Sequence, residues 1–166
     1  MKTIKNQFFP NFHPNEIASE CNQPFTLDNC IIDKLDLSGV DFKEKVIIKN
    51  CIIKSLEAYS SFFGGGLDFT GNIVSSTIQI EAGGHNRLPI IIANNIFQCF
   101  VGFFDCYFFD KLIVHDNIFM LGSDLLTKED PSFDNRFDAG VDYKNNIGCL
   151  SVSPEEVNQL RIKTLS

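Results

Sequence analysis

The chain has 166 residues, of which 44% are hydrophobic and 21% charged, a balance that suits one folded domain and excludes a disordered chain. Its formal net charge of −7 argues against nucleic acid as a ligand, because binding to phosphates requires a basic surface. No run approaches the ~18 apolar residues of a membrane span, and the first residues lack the apolar segment of a signal peptide. We therefore expect a cytoplasmic protein that does not bind a membrane and whose six cysteines stay reduced.

Residues 1–24 are predicted to form an N-terminal cap. Three prolines, at positions 10, 14 and 24, favour irregular structure in this segment. The end of a stack of β-strands must be covered, because an open sheet edge pairs with other chains. Phe8, Phe9 and Phe12 would suit that covering role over the structure that follows.

Five asparagines recur at nearly constant intervals between residues 25 and 119. They lie 21, 22, 23 and 22 residues apart, and each is followed by two residues that are apolar or small. The set is Asn29, Asn50, Asn72, Asn95 and Asn117. Apolar and polar residues alternate on both sides of these asparagines, with aliphatic residues six positions after four of them: Leu35, Leu56, Ile78 and Val101. This period of two predicts a β-strand before and after each asparagine.

The repeat predicts an all-β fold, a short parallel β-helix or β-solenoid of about five coils of 21–23 residues over residues 25–119. Each asparagine is expected at the bend between two strands, because asparagine tolerates a positive φ better than any residue except glycine. Asparagines at the same place in successive coils are expected to form a ladder of amide hydrogen bonds. Cys30 and Cys51 are predicted to stack as small inward side chains, since each follows an asparagine.

Three segments of this region share a further pattern. Residues 35–39, 40–44 and 67–71 read Leu-Asp-Leu-Ser-Gly, Val-Asp-Phe-Lys-Glu and Leu-Asp-Phe-Thr-Gly. They resemble the pentapeptide-repeat family, whose unit is a small residue, Asp or Asn, Leu or Phe, and two polar residues. Coils of that family have 20 residues, so an asparagine-turn right-handed parallel β-helix is the closer resemblance. The right hand is expected because parallel crossovers are overwhelmingly right-handed.

Residues 96–109 contain seven aromatic residues. Adjacent aromatics such as Phe103 and Phe104 cannot both face inward from a strand, so we expect Phe104 or its neighbour to face outward or to line an edge. Exposed aromatics are favoured anchors in protein interfaces. A bulky interior layer with a bent corner explains the same cluster equally well.

Residues 120–166 lose the repeat and are predicted to be a C-terminal capping segment. Aspartates at positions 130, 134, 138 and 142 match no calcium-binding motif and favour a solvated acidic loop. The sequence Ser-Pro-Glu-Glu at 153–156 predicts the start of a short helix near 154–164. We expect no metal site and no cofactor.

Counted from the asparagines, the outward side of the strand that precedes each of them is unusually apolar. The candidate partner-binding residues on this side are Val46, Ile48, Ile91, Ala93, Ile113 and His115, and Phe104 joins them as an exposed aromatic. Soluble monomers rarely expose such a patch, so something should cover it. Two interpretations stay open: the C-terminal segment folds back over this face, or the face meets a partner, which is another protein or a second copy of the chain.

These features favour a non-enzymatic, protein-binding solenoid that acts through a rigid sheet face, such as an inhibitor, an immunity-type partner of a toxin, or an adaptor. The pentapeptide-like units imply an alternative, an acidic rod that imitates DNA and occupies a DNA-processing enzyme. A further alternative is a polysaccharide-active β-helix enzyme, which needs acidic residues that converge in a loop-walled groove. We predict no catalytic residue, since the three histidines lie on separate segments and the pair His115–Asp116 is typical of an ordinary surface.

Overall fold

The computed structural model describes residues 2–16, 23–128, 132–157 and 159. Every strand pairing in it is parallel, and the strands stack as a β-solenoid of about five turns, which confirms the predicted all-β parallel β-helix. In chain order the strands are β1 (Lys2–Lys5), β2 (Phe8–Phe12), β3 (Phe25–Asp28), β4 (Ile31–Asp36), β5 (Val46–Lys49), β6 (Ile52–Tyr59), β7 (Leu67–Thr70), β8 (Ile73–Glu81), β9 (Ile90–Ala93), β10 (Ile96–Phe97), β11 (Val101–Phe104), β12 (Tyr107–Phe108), β13 (Leu112–His115), β14 (Ile118–Phe119), β15 (Arg136–Phe137) and β16 (Val141–Lys144).

The strands form two main sheets joined by one bend in each coil. The first sheet has the order β1-β3-β5-β7-β9-β13-β16, and the second has the order β14-β10-β8-β6-β4-β2, with β11 also paired to β8. A short third side consists of the pair β12-β15, continued by isolated bridges through Asp41, Phe62 and Gly84. Successive coils are therefore stacked in register on three sides around one apolar core.

Strands of both ends extend the sheets beyond the predicted limits of 25 and 119. The predicted N-terminal cap contributes β1 and β2, which pair with β3 and β4, and a 3₁₀ turn at Pro14–Glu16. The predicted C-terminal segment contributes β15 and β16. Residues 154–157 and 159 are helical, and Ser153 and Glu156 form the predicted capping box, with Oγ of Ser153 accepting from the Glu156 N–H at 3.3 Å. The rest of the predicted helix, at 158 and 160–164, lies outside the described residues.

The inward columns predicted after each asparagine are confirmed. Leu35, Leu56, Ile78 and Val101 face each other across β4, β6, β8 and β11 and expose between 0% and 5% of their surface. Rings stack in the same interior, as for Phe42 and Phe63, whose centroids are 5.1 Å apart with the ring planes 8° from parallel. Burial of these apolar side chains supplies the main driving force for folding.

The five predicted ladder asparagines belong to two neighbouring columns, and the prediction that they form one is wrong. Asn29 and Asn50 are exposed and occupy the bend itself with φ of 56°, in line with Gly71. The remaining bend residues of positive φ are Asn6, Asn94, Asp116 and Asn145. Asn72, Asn95 and Asn117 each lie one residue later, in line with Cys30 and Cys51, and expose no more than 1%.

Because of this offset of one residue, the inward and outward faces predicted for β5 are the wrong way round. Val46 and Ile48 were predicted to face outward and Ile47 inward, but Val46 exposes 1% and Ile48 0%, whereas Ile47 is only half-buried. Side chains alternate between the two faces of a strand, so a shift of one residue in the count moves every side chain to the opposite face. Opposite the step from Ile53 to Ser55, β8 has a β-bulge and therefore one residue more than β6. This extra residue brings Ile78 opposite Leu56, so that residues six positions after Asn50 and Asn72 share a column again.

The buried asparagines form a continuous hydrogen-bonded ladder along the stack. The Oδ1 atom of Asn95 accepts from the backbone N–H of Asn72 at 2.8 Å, while its Nδ2 donates to the carbonyl of Phe69 and to Oδ1 of Asn117, both at 2.9 Å. Asn117 repeats the pattern with Asn146, at 3.0 Å from its backbone N–H to Oδ1. At the other end, the column continues through sulfur, with the Cys30 N–H directed to Sγ of Cys51 at 3.4 Å. The ladder therefore satisfies backbone groups that the bend withdraws from the sheets.

Replacing Asn95 with Leu should strongly destabilise the protein. The Asn72 N–H and the Phe69 carbonyl would both lose their partner in a buried place, and each such group costs about 1–3 kcal/mol. Urea unfolding followed by circular dichroism should give a loss of roughly 2–6 kcal/mol in the free energy of unfolding. The exposed amide of Gln98 provides the matched control, since Gln98→Leu should change stability by no more than about 0.5 kcal/mol. Equal losses in both variants would contradict the role of the ladder.

Replacing Asn50 with Val should destabilise the bend, whereas Asn50→Gly should be tolerated. The backbone of Asn50 has φ of 56°, a region that costs a β-branched residue roughly 1–2 kcal/mol and glycine almost nothing. The thermal midpoints of the two variants, measured against the unaltered protein, provide the test. A glycine variant as unstable as the valine variant would show that the Asn50 side chain, and not its backbone geometry, matters here.

Candidate interaction surface

The outward side of the first sheet holds the surface that the sequence predicted as a partner-binding face. Ile91 and Ile113 are half-buried and lie opposite each other in β9 and β13. In the same column, Ile47 precedes Asp68 and Asp142 follows Ile113, so acidic residues interrupt the apolar row. Val46 and Ile48 are in the core, as described above. The predicted continuous apolar face is therefore reduced to one pair of isoleucines, Ile91 and Ile113, and the single Ile47.

The next outward column of this sheet is charged and paired. Ala93 exposes only 9%, and Nε2 of the half-buried His115 lies 3.1 Å from a carboxylate oxygen of Asp142. This contact does not have the geometry of a directed hydrogen bond, so it is an ion-pair contact when the imidazole is protonated. The imidazole holds the pKa of Asp142 below its ordinary value, and Lys144 acts in the same direction.

The C-terminal segment continues the stack within its described part. Strand β16 pairs with β13 as the next strand of the first sheet. The chain then follows the path of the preceding coil: the Phe119 N–H donates to the Ile147 carbonyl at 2.8 Å, and the Ser123 N–H to the Cys149 carbonyl at 2.9 Å. These residues therefore do not fold back over the outer face of the first sheet, and that interpretation of residues 120–166 is wrong for the described part of the segment.

Phe104 faces outward, which is one of the two orientations that the sequence predicted for it. It exposes 48% of its surface and stacks on Phe133, which is equally exposed, with ring centroids 5.2 Å apart. Phe103, its neighbour, exposes only 5%. The two stacked rings line an open cleft of about 320 Å³ whose other side includes Asp124 and Glu155.

A stripe of apolar residues on the outside of the second sheet was missed by the sequence analysis. It consists of one residue per coil, each paired in register with the next: Phe8, Ile31, Ile52, Ile73, Ile96, Ile118 and Ile147, called here the isoleucine stripe. The four outer members, Phe8, Ile31, Ile52 and Ile147, expose between 50% and 65%. The three central members are half-buried by their neighbours. The stripe runs along the whole stack.

Two consecutive apolar residues after six of the seven bends were the signal for this stripe. Ile52-Ile53 and Ile73-Val74 are examples, and one member of each pair must face outward because side chains alternate along a strand. Alignment on the asparagines matched Ile73 with Cys51, whereas the structure matches it with Ile52. The exposed row was hidden by that offset of one residue.

Columns of mostly uncharged residues border the isoleucine stripe on both sides. On one side lies the polar column of bend residues: Asn6, Asn29, Asn50, Gly71, Asn94, Asp116 and Asn145. On the other side lie the exposed residues two positions after the stripe: Pro10, Asp33, Lys54, Ser75, Gln98, Met120 and Cys149. The stripe is therefore one residue wide, straight and framed by residues of low total charge.

The buried cysteines Cys30, Cys51 and Cys106 have the properties of structural residues. Burial raises the pKa of the Cys51 thiol to about 11 and that of the Cys106 thiol to about 12, so neither forms the reactive thiolate near neutral pH. Cys30 and Cys51 stack as predicted, both 1% exposed. Over the residues that the structure describes, no group of three or more His, Cys, Asp or Glu side chains is placed to hold a metal ion. Within the same ranges, no helix has the length and apolar character needed to cross a bilayer.

No protein-family model, curated protein or solved structure matches this chain. The resemblance of residues 35–44 and 67–71 to pentapeptide repeats thus stays a prediction from short segments. The chain is a parallel β-solenoid by its own structure.

Proposed function

We propose that this protein is a non-enzymatic binding protein that holds another protein chain against the isoleucine stripe. The observation that carries the proposal is the unbroken row of seven apolar side chains on the outside of the second sheet. Half-exposed apolar residues in one contiguous row are unusual on a free surface and typical of a surface that is covered by a partner. An inhibitor, an immunity-type protein and an adaptor all act through such a contact.

The stacking of the coils supports binding by a rigid surface. Backbone hydrogen bonds and the buried amide ladder hold the members of the stripe in register, so the free protein already has the shape that the partner meets. A preorganised surface loses little conformational entropy on binding. A narrow apolar row can therefore contribute useful affinity.

The pairing of the acidic side chains favours protein binding over imitation of DNA. A DNA mimic needs rows of unpaired carboxylates, but Asp28 lies 3.2 Å from the ammonium of Lys5 and 3.6 Å from that of Lys49. The Asn50 amide and Lys5 hold the pKa of Asp28 below its ordinary value. Glu57 pairs likewise with Lys34 at 2.9 Å.

The state of the buried thiols supports a reducing compartment for this activity. Cys30, Cys51 and Cys106 are buried and belong to no disulfide. We therefore place the binding function in the cytoplasm, where thiols stay reduced.

Ile52→Lys should abolish capture of the partner. A lysine in the stripe would bring an unpaired charge into the apolar contact, while Ile52 is exposed enough, at 50%, for the fold to accept the change. The unaltered protein and the variant are immobilised, and proteins retained from a lysate of the native host are quantified by mass spectrometry. Leu88→Lys is the matched control, since Leu88 is 54% exposed and lies outside the stripe. We expect one stoichiometric protein with the control and its loss with Ile52→Lys.

Retention of the same protein by Ile52→Lys would contradict the proposed surface. A double variant, Ile91→Lys with Ile113→Lys, provides the comparison with the face predicted from the sequence. If the stripe is the contact, this double variant keeps the captured protein. Loss in the double variant alone would move the binding surface to the first sheet. Circular dichroism melts of all variants confirm that each is folded.

A further inference from the structure

We infer that the chain seated on the isoleucine stripe is a second copy of this protein, packed antiparallel to the first; this rests on the proposed function and names its partner. The first argument is the spacing of the row. Adjacent strands of a sheet lie about 4.8 Å apart, so the seven in-register members repeat at that distance over about 29 Å.

Only another stack of β-strands presents side chains at the same repeat. Residues on one face of an extended strand recur about every 6.7 Å. Those on one face of an α-helix recur on average about every 5.4 Å and drift out of step within a few contacts. Two rows of equal repeat stay in step along their whole length, as do the stacked strands that meet in the dry interfaces of steric zippers. A second copy of this chain meets the requirement without further assumption.

The charges around the stripe allow this packing although the protein is acidic. Among the three columns of the surface, Asp33 and Asp116 are acidic and Lys54 is basic, a sum of −1. The whole chain carries −7, so most of the excess negative charge lies away from this face. Repulsion between two copies is therefore small where the stripes meet.

The antiparallel arrangement avoids like charges at both borders. Full overlap of the two rows places Ile73 on the twofold axis, and Ile52 of one copy then faces Ile96 of the other. At the borders, Asp116 faces the amide of Asn29, while Lys54 faces Gln98. Further border pairs are Asp33 with Met120, Asn6 with Asn145, and Asn50 with Asn94, while Gly71 and Ser75 each face the same residue of the other copy. Asparagine amides both donate and accept, so they are complementary to one another across such an axis.

The size of the surface predicts a weak dimer. Three columns over about 29 Å cover roughly 600 Å² per copy, hence roughly 1,200 Å² in total, at the lower end of specific interfaces. Association in the micromolar range is expected for a contact of this size that is rigid before binding.

Sedimentation velocity of the purified protein from about 1 µM to about 500 µM tests this inference. The unaltered protein and Leu88→Lys should pass from monomer to dimer over this range. Ile52→Lys should raise the dissociation constant by about tenfold or more, because its charge would be buried without a partner. If the unaltered protein is a monomer at every concentration, the inference is overturned. It is also overturned if Ile52→Lys dimerises as well as the unaltered protein.

Mixtures of variants test the antiparallel arrangement. Ile52→Lys mixed with Ile96→Glu should restore dimerisation, since the two new charges then face each other across the contact. Ile52→Lys mixed with Ile52→Glu should not restore it. The opposite result would overturn the antiparallel packing. Circular dichroism of each variant alone excludes a loss of fold as the cause.

The two proposals fail in different ways. If the purified protein stays monomeric while a different protein is captured from lysate through the stripe, the second copy is excluded and the binding function stands. If the protein stays monomeric and the capture does not depend on the stripe, both proposals are overturned. Dimerisation of the purified protein through the stripe supports both.

Discussion

The hydrogen bonding of backbone groups at the bend between the first and second sheets is the constraint on which the rest of the structure depends. A bend that is repeated in every coil removes N–H and C=O groups from the regular pairing of the sheets and buries some of them. A carboxamide can donate and accept at once, so a column of asparagines satisfies these groups and links each coil to the next. The Asn95 side chain does this with the backbone of Asn72 and of Phe69. Apolar burial drives folding, but it does not by itself hold the coils in register.

The same column is not uniform along the stack. Two of its members, Cys30 and Cys51, are cysteines, whose sulfur is a weaker hydrogen-bond partner than an amide oxygen. The Cys30 N–H contacts Sγ of Cys51 at 3.4 Å, whereas the corresponding amide contact from Cys51 to Asn72 is 2.9 Å. The bend residues outside this column compensate in part, since the Asn29 amide donates to Oδ1 of Asn6 at 2.7 Å. This exposed contact adds a second link between these coils beside the buried column.

Register along the stack has a direct consequence for the surface. Once coils are stacked without slippage, a residue type that recurs in the sequence becomes a straight row on the outside of the rod. The isoleucine stripe is such a row, and its straightness and constant repeat follow from the same hydrogen bonds that stabilise the bend. Ion pairs such as Asp28 with Lys5 arise in the same manner in the next column. The proposed binding function therefore uses the regularity of the fold, and no part of it requires a groove.

The sequence by itself determined the fold class, because a period of two on both sides of recurring asparagines leaves few structures other than a coil of parallel strands. It also determined the inward columns after the bend, the stacking of Cys30 with Cys51, and the start of the C-terminal helix at Ser153. It did not determine which asparagines share a column, since Asn50 and Asn72 fit the pattern equally well when counted by residue type. Only the tertiary structure decided that Asn50 aligns with Gly71. The alignment follows from the backbone pairing of neighbouring coils and from the positive φ at the bend, a conformation that glycine and asparagine both accept. That one-residue decision placed Val46 and Ile48 in the core and the isoleucines of the second sheet on the surface, since each step along a strand changes the face to which a side chain points.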